Sequence, residues 1–108
     1  MADQTPLLDT LADMTAASVS RAALDDRSLM LVRLAGLVAV DAPAASYLLN
    51  LGPAADSGLT LEDARSVLIA LAPIVGGPRV VSAAATITDA LGLALALAEA
   101  ELEADAAG

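Results

Sequence analysis

The polar residues best able to do chemistry cluster between positions 33 and 50. Ser46 and Asn50 lie four residues apart, which places them on one face of a helix, and Tyr47 is adjacent. Arg33 and Asp41 are close to them in the sequence. Because a serine nucleophile needs a base and the chain has neither histidine nor lysine, only a carboxylate could activate Ser46. A hydroxyl that bonds a backbone carbonyl of its own helix is the more ordinary interpretation of this serine.

Two arginines and two proton-transfer groups complete the candidates for a site. Arg79 follows Gly76-Gly77-Pro78, so its guanidinium and the free amides of a helix start could meet an anion or a neighbouring subunit's carboxylate. The structural alternatives are an ion pair at Arg79 and a tyrosine that only fills space. We predict ligand binding by Arg33, Ser46, Asn50 and Arg79, with Asp41 and Tyr47 as the catalytic candidates.

The composition removes most kinds of catalysis. The 108 residues include no cysteine, histidine, lysine, tryptophan or phenylalanine. Thiol redox chemistry, imidazole acid-base chemistry, Schiff-base formation and nitrogen- or sulfur-ligated metal sites are therefore excluded. The carboxylate pairs Asp25-Asp26 and Glu62-Asp63 stand where helix N-termini favour negative charge, so capping explains them better than a metal site. We predict no metal and no cofactor.

The charge of the chain argues against two classes of partner. A net charge of −9 and a pI near 4.1 provide no basic surface for nucleic acid or for an anionic membrane. Arg79 and Asp89 interrupt the longest apolar stretches, so no membrane-spanning helix is predicted. Asp3, Asp9 and Asp13 stand where a signal peptide would begin with basic residues. We therefore expect a cytoplasmic protein without nucleic-acid or membrane partners.

Helix start and stop signals recur along the chain and strand signals are nearly absent, so we predict an all-α fold. The prediction is a single helical-bundle domain of about five or six helices over residues 1–108. Asp25 caps one helix, and Thr60 with Asp63 forms a capping box for another. Gly52-Pro53 is predicted to kink or break the third helix. The predicted helices cover about 6–17, 25–40, 41–50 or beyond, 60–71 and 78–104, and segment 18–24 fits either a helical turn or a loop.

The last predicted helix carries a heptad-like apolar seam. Alternating spacings of four and three residues define it, through Val80, Ala84, Ile87, Leu91, Ala94 and Ala98. Acidic residues 99–105 follow at the negative end of the helix dipole, which predicts a frayed tail near 104–108. The chain is 57% hydrophobic, more than a bundle of this size can bury. We therefore predict self-association.

Several short motifs, mostly at packing and turn positions, occur between Leu24 and Leu91. They are Leu24-Asp25-Asp26-Arg27, Leu34-Ala35, Asn50-x-x-x-Ala54-x-x-x-Gly58-Leu59-Thr60-x-Glu62, Leu71-Ala72-Pro73 and Gly77-Pro78. In this order they resemble the carboxymuconolactone decarboxylase and alkylhydroperoxidase D superfamily. The resemblance implies an alkylhydroperoxidase D-like helical subunit that assembles as a trimer or a hexamer.

The resemblance also implies where a peroxidase site would stand, and its residues differ here. The glutamate, CxxC pair and histidine of the peroxidase members align with Leu31, Pro43, Ser46 and Asn50. Peroxidase chemistry through a cysteine relay is therefore impossible in this chain. For the lactone decarboxylase branch, a histidine or another matched acid-base group would be expected, and none is present. The resemblance thus argues for a fold rather than for an activity.

Three functional interpretations remain open. The first is a homo-oligomeric member of this superfamily without redox chemistry, with a structural, regulatory or small-ligand-binding role. The second is a decarboxylase- or isomerase-type enzyme on a small organic acid or lactone, using arginine, aspartate and tyrosine. The third is a helical module that binds another protein through its last helix. An enzyme requires an aspartate or tyrosine facing an arginine across a cavity of roughly 300 Å³ or more.

Overall fold

Five helices make up most of residues 5–107. The computed structural model describes residues 5–107, so the residues before Thr5 used in the signal-peptide argument, and Gly108 of the predicted tail, lie outside the described part. The helices are α1 (Pro6–Arg21), α2 (Asp26–Ala39), α3 (Ala44–Asp56), α4 (Leu61–Val75) and α5 (Gly77–Ala107). Residues 5–107 contain no strand. The predicted all-α, single-domain helical fold is confirmed.

Two of the helix starts form as their capping residues predict. The Asp25 carboxylate accepts a 2.7 Å hydrogen bond from the Ser28 amide, and the pKa of this carboxyl is lowered chiefly by that bond. Thr60 and Asp63 form the complete capping box, because each side chain accepts from the other residue's backbone amide. Local sequence therefore determines where α2 and α4 begin.

Helices α1 and α4 run further than predicted, and α3 passes the residues that were expected to kink or break it. Segment 18–21 continues α1 to Arg21, and α3 and α4 continue through Pro53 and Pro73. Both prolines lie in the last turn, so the hydrogen bond that each proline removes and its clash with the carbonyl four residues before affect only the end of the helix. After each helix a glycine adopts a left-handed backbone, Gly58 with φ 86° and Gly76 with φ 88°. These glycines, rather than the prolines, end the helices.

The core lies where α5 crosses α2 and α3. Val38, Ala42, Tyr47, Ala83 and Ala90 form one buried cluster, with Ile87 packed against it. The predicted seam on α5 is partly wrong. Ala84 and Ala98 are exposed, whereas Ala83 and Ala90 are fully buried. The positions of α5 that face the core are Ala83, Ile87 and Ala90, at spacings of four and three residues. Contact with α2 and α3 selects this face of α5, and the spacing of small residues alone could not predict it.

A charged clamp joins the starts of α2 and α4. The Arg27 guanidinium donates to both oxygens of Asp63, at 3.1 and 2.6 Å, and to the Gly58 carbonyl at 3.2 Å. These hydrogen bonds, followed by the bond from the Thr60 amide, lower the pKa of Asp63 to about 2. The clamp holds the loop before α4 against α2, and this loop forms one wall of the site described below.

Much apolar surface stays uncovered in the single chain. The accessible area is 7371 Å², against about 5,500 Å² for a compact monomer of this mass. The radius of gyration is 15.7 Å, where about 13 Å is usual for this length. None of the residues of α1 is buried, and the helix packs only weakly on the others. The structure therefore carries more exposed surface than a monomer of this size usually has.

Helix α5 contributes a large share of this surface. Over Gly77–Asp105 it is long and apolar enough to cross a membrane by length and composition alone, and it contains an 18-residue stretch with a mean hydropathy of 1.8. A core helix of a soluble protein meets the same criterion when it is mostly buried, but little of α5 is buried. Helix α5 continues to Ala107, beyond the predicted end near Ala104. Fraying of the tail stays a prediction.

Candidate ligand cavity

An apolar cavity opens between α2, α3 and α5. Its volume is about 370 Å³, and it is open to solvent on one side. Three helices and one loop line it. The lining residues are Met30, Leu34 and Leu37 of α2, residues between Tyr47 and Ala55 of α3, Leu59, Thr60 and Leu61 at the loop before α4, and Ile87, Leu91, Ala94 and Leu95 of α5. Volumes of this size are typical of sites for small organic ligands.

Helical periodicity explains why this space is apolar. Met30, Leu34 and Leu37 are separated by four and three residues, so they share one face of α2. The same spacing places Ile87, Leu91 and Ala94 on one face of α5. Alanines supply part of the wall, and their short side chains leave the space between the helices unfilled. The cavity therefore forms because the alanine side chains in its wall are too short to fill the space between the helices, while leucines surround that space.

Tyr47 is the most unusual residue at this site. Its side chain is only 4% exposed, and its hydroxyl has no hydrogen-bond partner among the described residues. Burial, and then the negative charge of Asp41, raises the pKa of this hydroxyl, so it stays protonated at neutral pH. A buried hydroxyl without a partner loses its bonds to water without replacement. Tyr47 therefore lies in the cavity wall at a cost in stability.

Ser46 and Asn50 lie on one face of α3, as the sequence predicts. The Asn50 side-chain amide donates to the Ser46 backbone carbonyl at 2.8 Å, not to its hydroxyl. Asn50 lines the cavity and Ser46 does not. Within residues 5–107 no carboxylate lines this cavity either, so these residues offer Ser46 no base there.

Asp41 lies outside the cavity, in the turn between α2 and α3. It has a left-handed backbone with φ 56°, and its carboxylate accepts a 3.1 Å hydrogen bond from the Ser82 hydroxyl. Non-glycine residues rarely adopt this conformation, although aspartate tolerates it better than most. The geometry gives Asp41 a role in connecting the turn to α5. It influences Tyr47 through its charge rather than through a shared ligand space.

Arg33 lines a different cavity of about 320 Å³ between α1, α2 and α3. It donates to the Ser18 hydroxyl at 3.2 Å. Asp26 and Asp56 line the same cavity. Because two carboxylates accompany one guanidinium, the local charge opposes the binding of an anion.

Arg79 lies in neither cavity. Its guanidinium donates to the Ala39 carbonyl at 2.7 Å, at the C-terminal end of α2. A cation at this position satisfies a free carbonyl and interacts favourably with the helix dipole. The structure thus gives Arg79 a capping role. The site residues predicted from sequence divide among five places: the cavity wall, the α3 backbone, the turn between α2 and α3, the second cavity and the end of α2.

Sequence reasoning missed the apolar residues that define the cavity. Met30, Leu34, Leu91 and Ala94 carry no chemical signal, and their spacing is the same for a filled core and for a cavity wall. Among the residues searched in 5–107, no cluster of acidic groups could hold a metal ion. The site can therefore enclose an apolar molecule, and it offers few polar contacts.

Comparisons with protein-family models, with curated proteins and with solved structures return no match to this chain. The role of the cavity is accordingly argued from its own geometry and chemistry.

Proposed function

We propose that this protein is a homo-oligomeric, alkylhydroperoxidase D-like subunit without thiol peroxidase activity that binds a small ligand in the cavity between α2, α3 and α5. The observation that carries the proposal is the cavity itself, about 370 Å³ of apolar space in a chain of only 108 residues. Because the cavity opens to solvent, its apolar lining is left in contact with water, and a ligand would remove part of this apolar surface from water.

The lining specifies the chemistry of this ligand. None of the five arginines of the chain reaches the cavity, so nothing there compensates a carboxylate or phosphate. The anionic ligand predicted from sequence relied on Arg33 and Arg79, which lie elsewhere. A neutral, largely apolar molecule fits better, and at the volume of about 30 Å³ per water molecule the space corresponds to about twelve non-hydrogen atoms.

Binding fits this lining better than catalysis does. A general acid or base needs a pKa near the working pH and a path to the reacting atom. Tyr47 is the one titratable group that the described residues place in the wall, its pKa is raised, and its hydroxyl is enclosed by protein. The proposal therefore requires no cofactor and assigns no catalytic residue.

Self-association is supported by the exposed area. The excess of about 1,900 Å² over a compact monomer exceeds the roughly 800 Å² per partner of a standard stable interface. A trimer or a hexamer is the assembly that the family resemblance implies. We propose a cytoplasmic location for the assembly, because packing between copies would cover the apolar surface of α5.

Methyl NMR of methionine and isoleucine tests the ligand site. Met30 lines the cavity and Ile74 lies exposed at the end of α4, so the two methyl groups serve as reporter and reference. Nonan-2-one, a neutral ketone of suitable size, should shift the Met30 signal in a saturable way and leave Ile74 nearly unchanged. Ala94→Phe should fill the cavity and abolish the shift, whereas Ala85→Phe, on the exposed face of the same helix, should not.

Either of two results would contradict the ligand proposal. One is the absence of any saturable Met30 shift in the folded wild-type protein. The other is an undiminished shift in the Ala94→Phe variant, which would place the ketone elsewhere. Sedimentation of the wild-type chain tests the oligomer independently, since a single species of 10.7 kDa at micromolar concentration would exclude it.

One observation favours the enzyme alternative at a different place. The cavity that holds Arg33 also contains Asp26 and Asp56, so an arginine and carboxylates do face one space of about 320 Å³. If this cavity held a small neutral lactone, γ-butyrolactone should shift the Arg33 side-chain NMR signals, and Arg33→Gln should remove the effect. The helical interaction module would instead require that α5 stay exposed in the assembled protein.

A further inference from the structure

The first turns of α1 form an arm that the single chain leaves uncovered. Leu8, Leu11, Thr15 and Ser18 follow one another at spacings of three, four and three residues, so they share one face of the helix. The end of this face packs on the bundle, since Thr15 lines the second cavity and Ser18 accepts from Arg33. The N-terminal part of this face does not pack on the bundle, since Leu8 is 63% exposed and Leu11 is 48% exposed.

The opening of the ligand cavity is the matching feature on the same chain. Leu61 and Leu95 line the cavity from the start of α4 and from α5, yet they are 68% and 65% exposed. No charged residue of the described part of the chain lines this cavity. An apolar helix face could therefore lie across the opening without burying an unpaired charge.

We propose that the arm, defined as Pro6–Met14 of α1, lies across the opening of the cavity in a second copy of this chain and closes it. This inference rests on the homo-oligomer proposed above and names the surface that forms it. The partner's arm would supply Leu8 and Leu11 as the missing side of the ligand site. If each arm passes to the next subunit, a ring closes, and a reciprocal exchange gives a dimer.

Charge and area favour a second copy over other occupants. Asp9 and Asp13 lie on the face of α1 opposite to Leu11, so they stay in water when the arm binds. An anionic lipid surface would repel these carboxylates, and the arm has no basic residue to offset them. The chain itself offers both an uncovered apolar helix face and an uncovered apolar opening, and its surface excess is of the size that a stable interface buries.

Substitutions on the two faces of the arm give a matched test of assembly. Leu11→Asp would place a carboxylate in the proposed contact, whereas Ala16→Asp places the same group on the exposed opposite face. We expect sedimentation to move from the oligomer to the single-chain mass for Leu11→Asp and to stay unchanged for Ala16→Asp. Circular dichroism should show the same helix content for both. An oligomer that survives Leu11→Asp would overturn the proposal.

The absence of cysteine from the chain allows the contact itself to be located. Chains carrying Leu11→Cys are mixed with separate chains carrying Leu95→Cys, and a short bismaleimide is added. The proposal predicts a covalent dimer of the two kinds of chain, and no such product when Ala16→Cys replaces Leu11→Cys. Absence of the mixed product overturns the proposal, as does a doubly substituted chain that crosslinks only within itself.

The outcomes separate this inference from the function on which it rests. An oligomeric wild-type protein that fails the crosslinking test still supports the proposed homo-oligomer but removes the arm from the interface. A monomeric wild-type protein removes both. Flotation of the wild-type chain with neutral phosphatidylcholine vesicles, lost in Leu11→Asp, would identify a bilayer as the occupant and would also overturn the proposal.

Discussion

Replacing Tyr47 with phenylalanine removes only the buried hydroxyl without a partner. Leaving a hydroxyl buried and unpaired costs about 1–3 kcal/mol. Against this, the variant loses a few dispersion contacts of one oxygen atom, each about 0.1–0.2 kcal/mol. The residue is 4% exposed, so the penalty is not relieved by bulk water. We expect Tyr47→Phe to raise the free energy of unfolding by about 1 kcal/mol.

Chemical denaturation with urea measures this change, at a fixed protein concentration because assembly contributes to the apparent stability. In thermal unfolding, an increase of this size corresponds to a rise of roughly 4–8 °C in Tm for a domain of about this length. The slope of the urea transition should stay the same, since little surface changes.

Ser57→Ala provides the matched control, because it also removes one hydroxyl. Here the Ser57 hydroxyl donates to the Ala54 carbonyl at 2.8 Å and is partly buried. Its removal should lower stability by about 1 kcal/mol, opposite in sign to Tyr47→Phe. If Tyr47→Phe destabilises the protein as Ser57→Ala does, then the Tyr47 hydroxyl has a partner in solution, and the reasoning is refuted.

Four further predictions concern other parts of the chain. Because the pKa of Asp63 is about 2 in the folded protein and near 3.8 ordinarily, stability should fall as the pH drops from about 4 to 2, and Asp63→Asn should remove that part of the decline in acid titrations. Asp41→Gly should be more stable than Asp41→Ala by about 1 kcal/mol in urea, since both lose the carboxylate and only alanine keeps the left-handed strain at φ 56°; equal stabilities would argue against strain. Amides of 99–105 should exchange with deuterium faster than those of 83–90, because like charges crowd the negative end of the α5 dipole, and uniform protection would contradict the frayed tail. Assembly should strengthen between low salt and about 0.15 M salt, where screening reduces repulsion between chains of charge −9; sedimentation that weakens with salt would indicate an interface held by ion pairs.

The helix boundaries show which structural features can be predicted from residues that are close in the sequence. Asp25 and the Thr60 and Asp63 pair predict the starts of α2 and α4, because a capping side chain bonds an amide only three residues away. The end of α4 depends on Gly76 rather than on Pro73, since a proline in the last turn removes little, whereas a left-handed residue reverses the chain. Interactions within one helical turn are therefore readable from sequence.

The hydrogen-bond partners of Arg33 and Arg79 could not be predicted in this way. Arg79 bonds Ala39, forty residues away in the chain, and Arg33 bonds Ser18 across the gap between α1 and α2. Either guanidinium could equally have met an anion, because the sequence specifies the donor and not the group that the fold brings to it. The chemical type of each candidate was predictable, and its partner was not.

By itself, the sequence determined that this protein is helical, cysteine-free, acidic and richer in small apolar residues than one bundle needs. These properties depend on residue type and on spacings within a turn. Only the tertiary structure decided that leucines on α2 and α5 surround an unfilled space, that the Tyr47 hydroxyl is buried without a partner, and that the first turns of α1 stay uncovered. The physical reason is that a cavity and an exposed face depend on how far apart helices lie, and the same periodicity encodes both a filled and an empty interior.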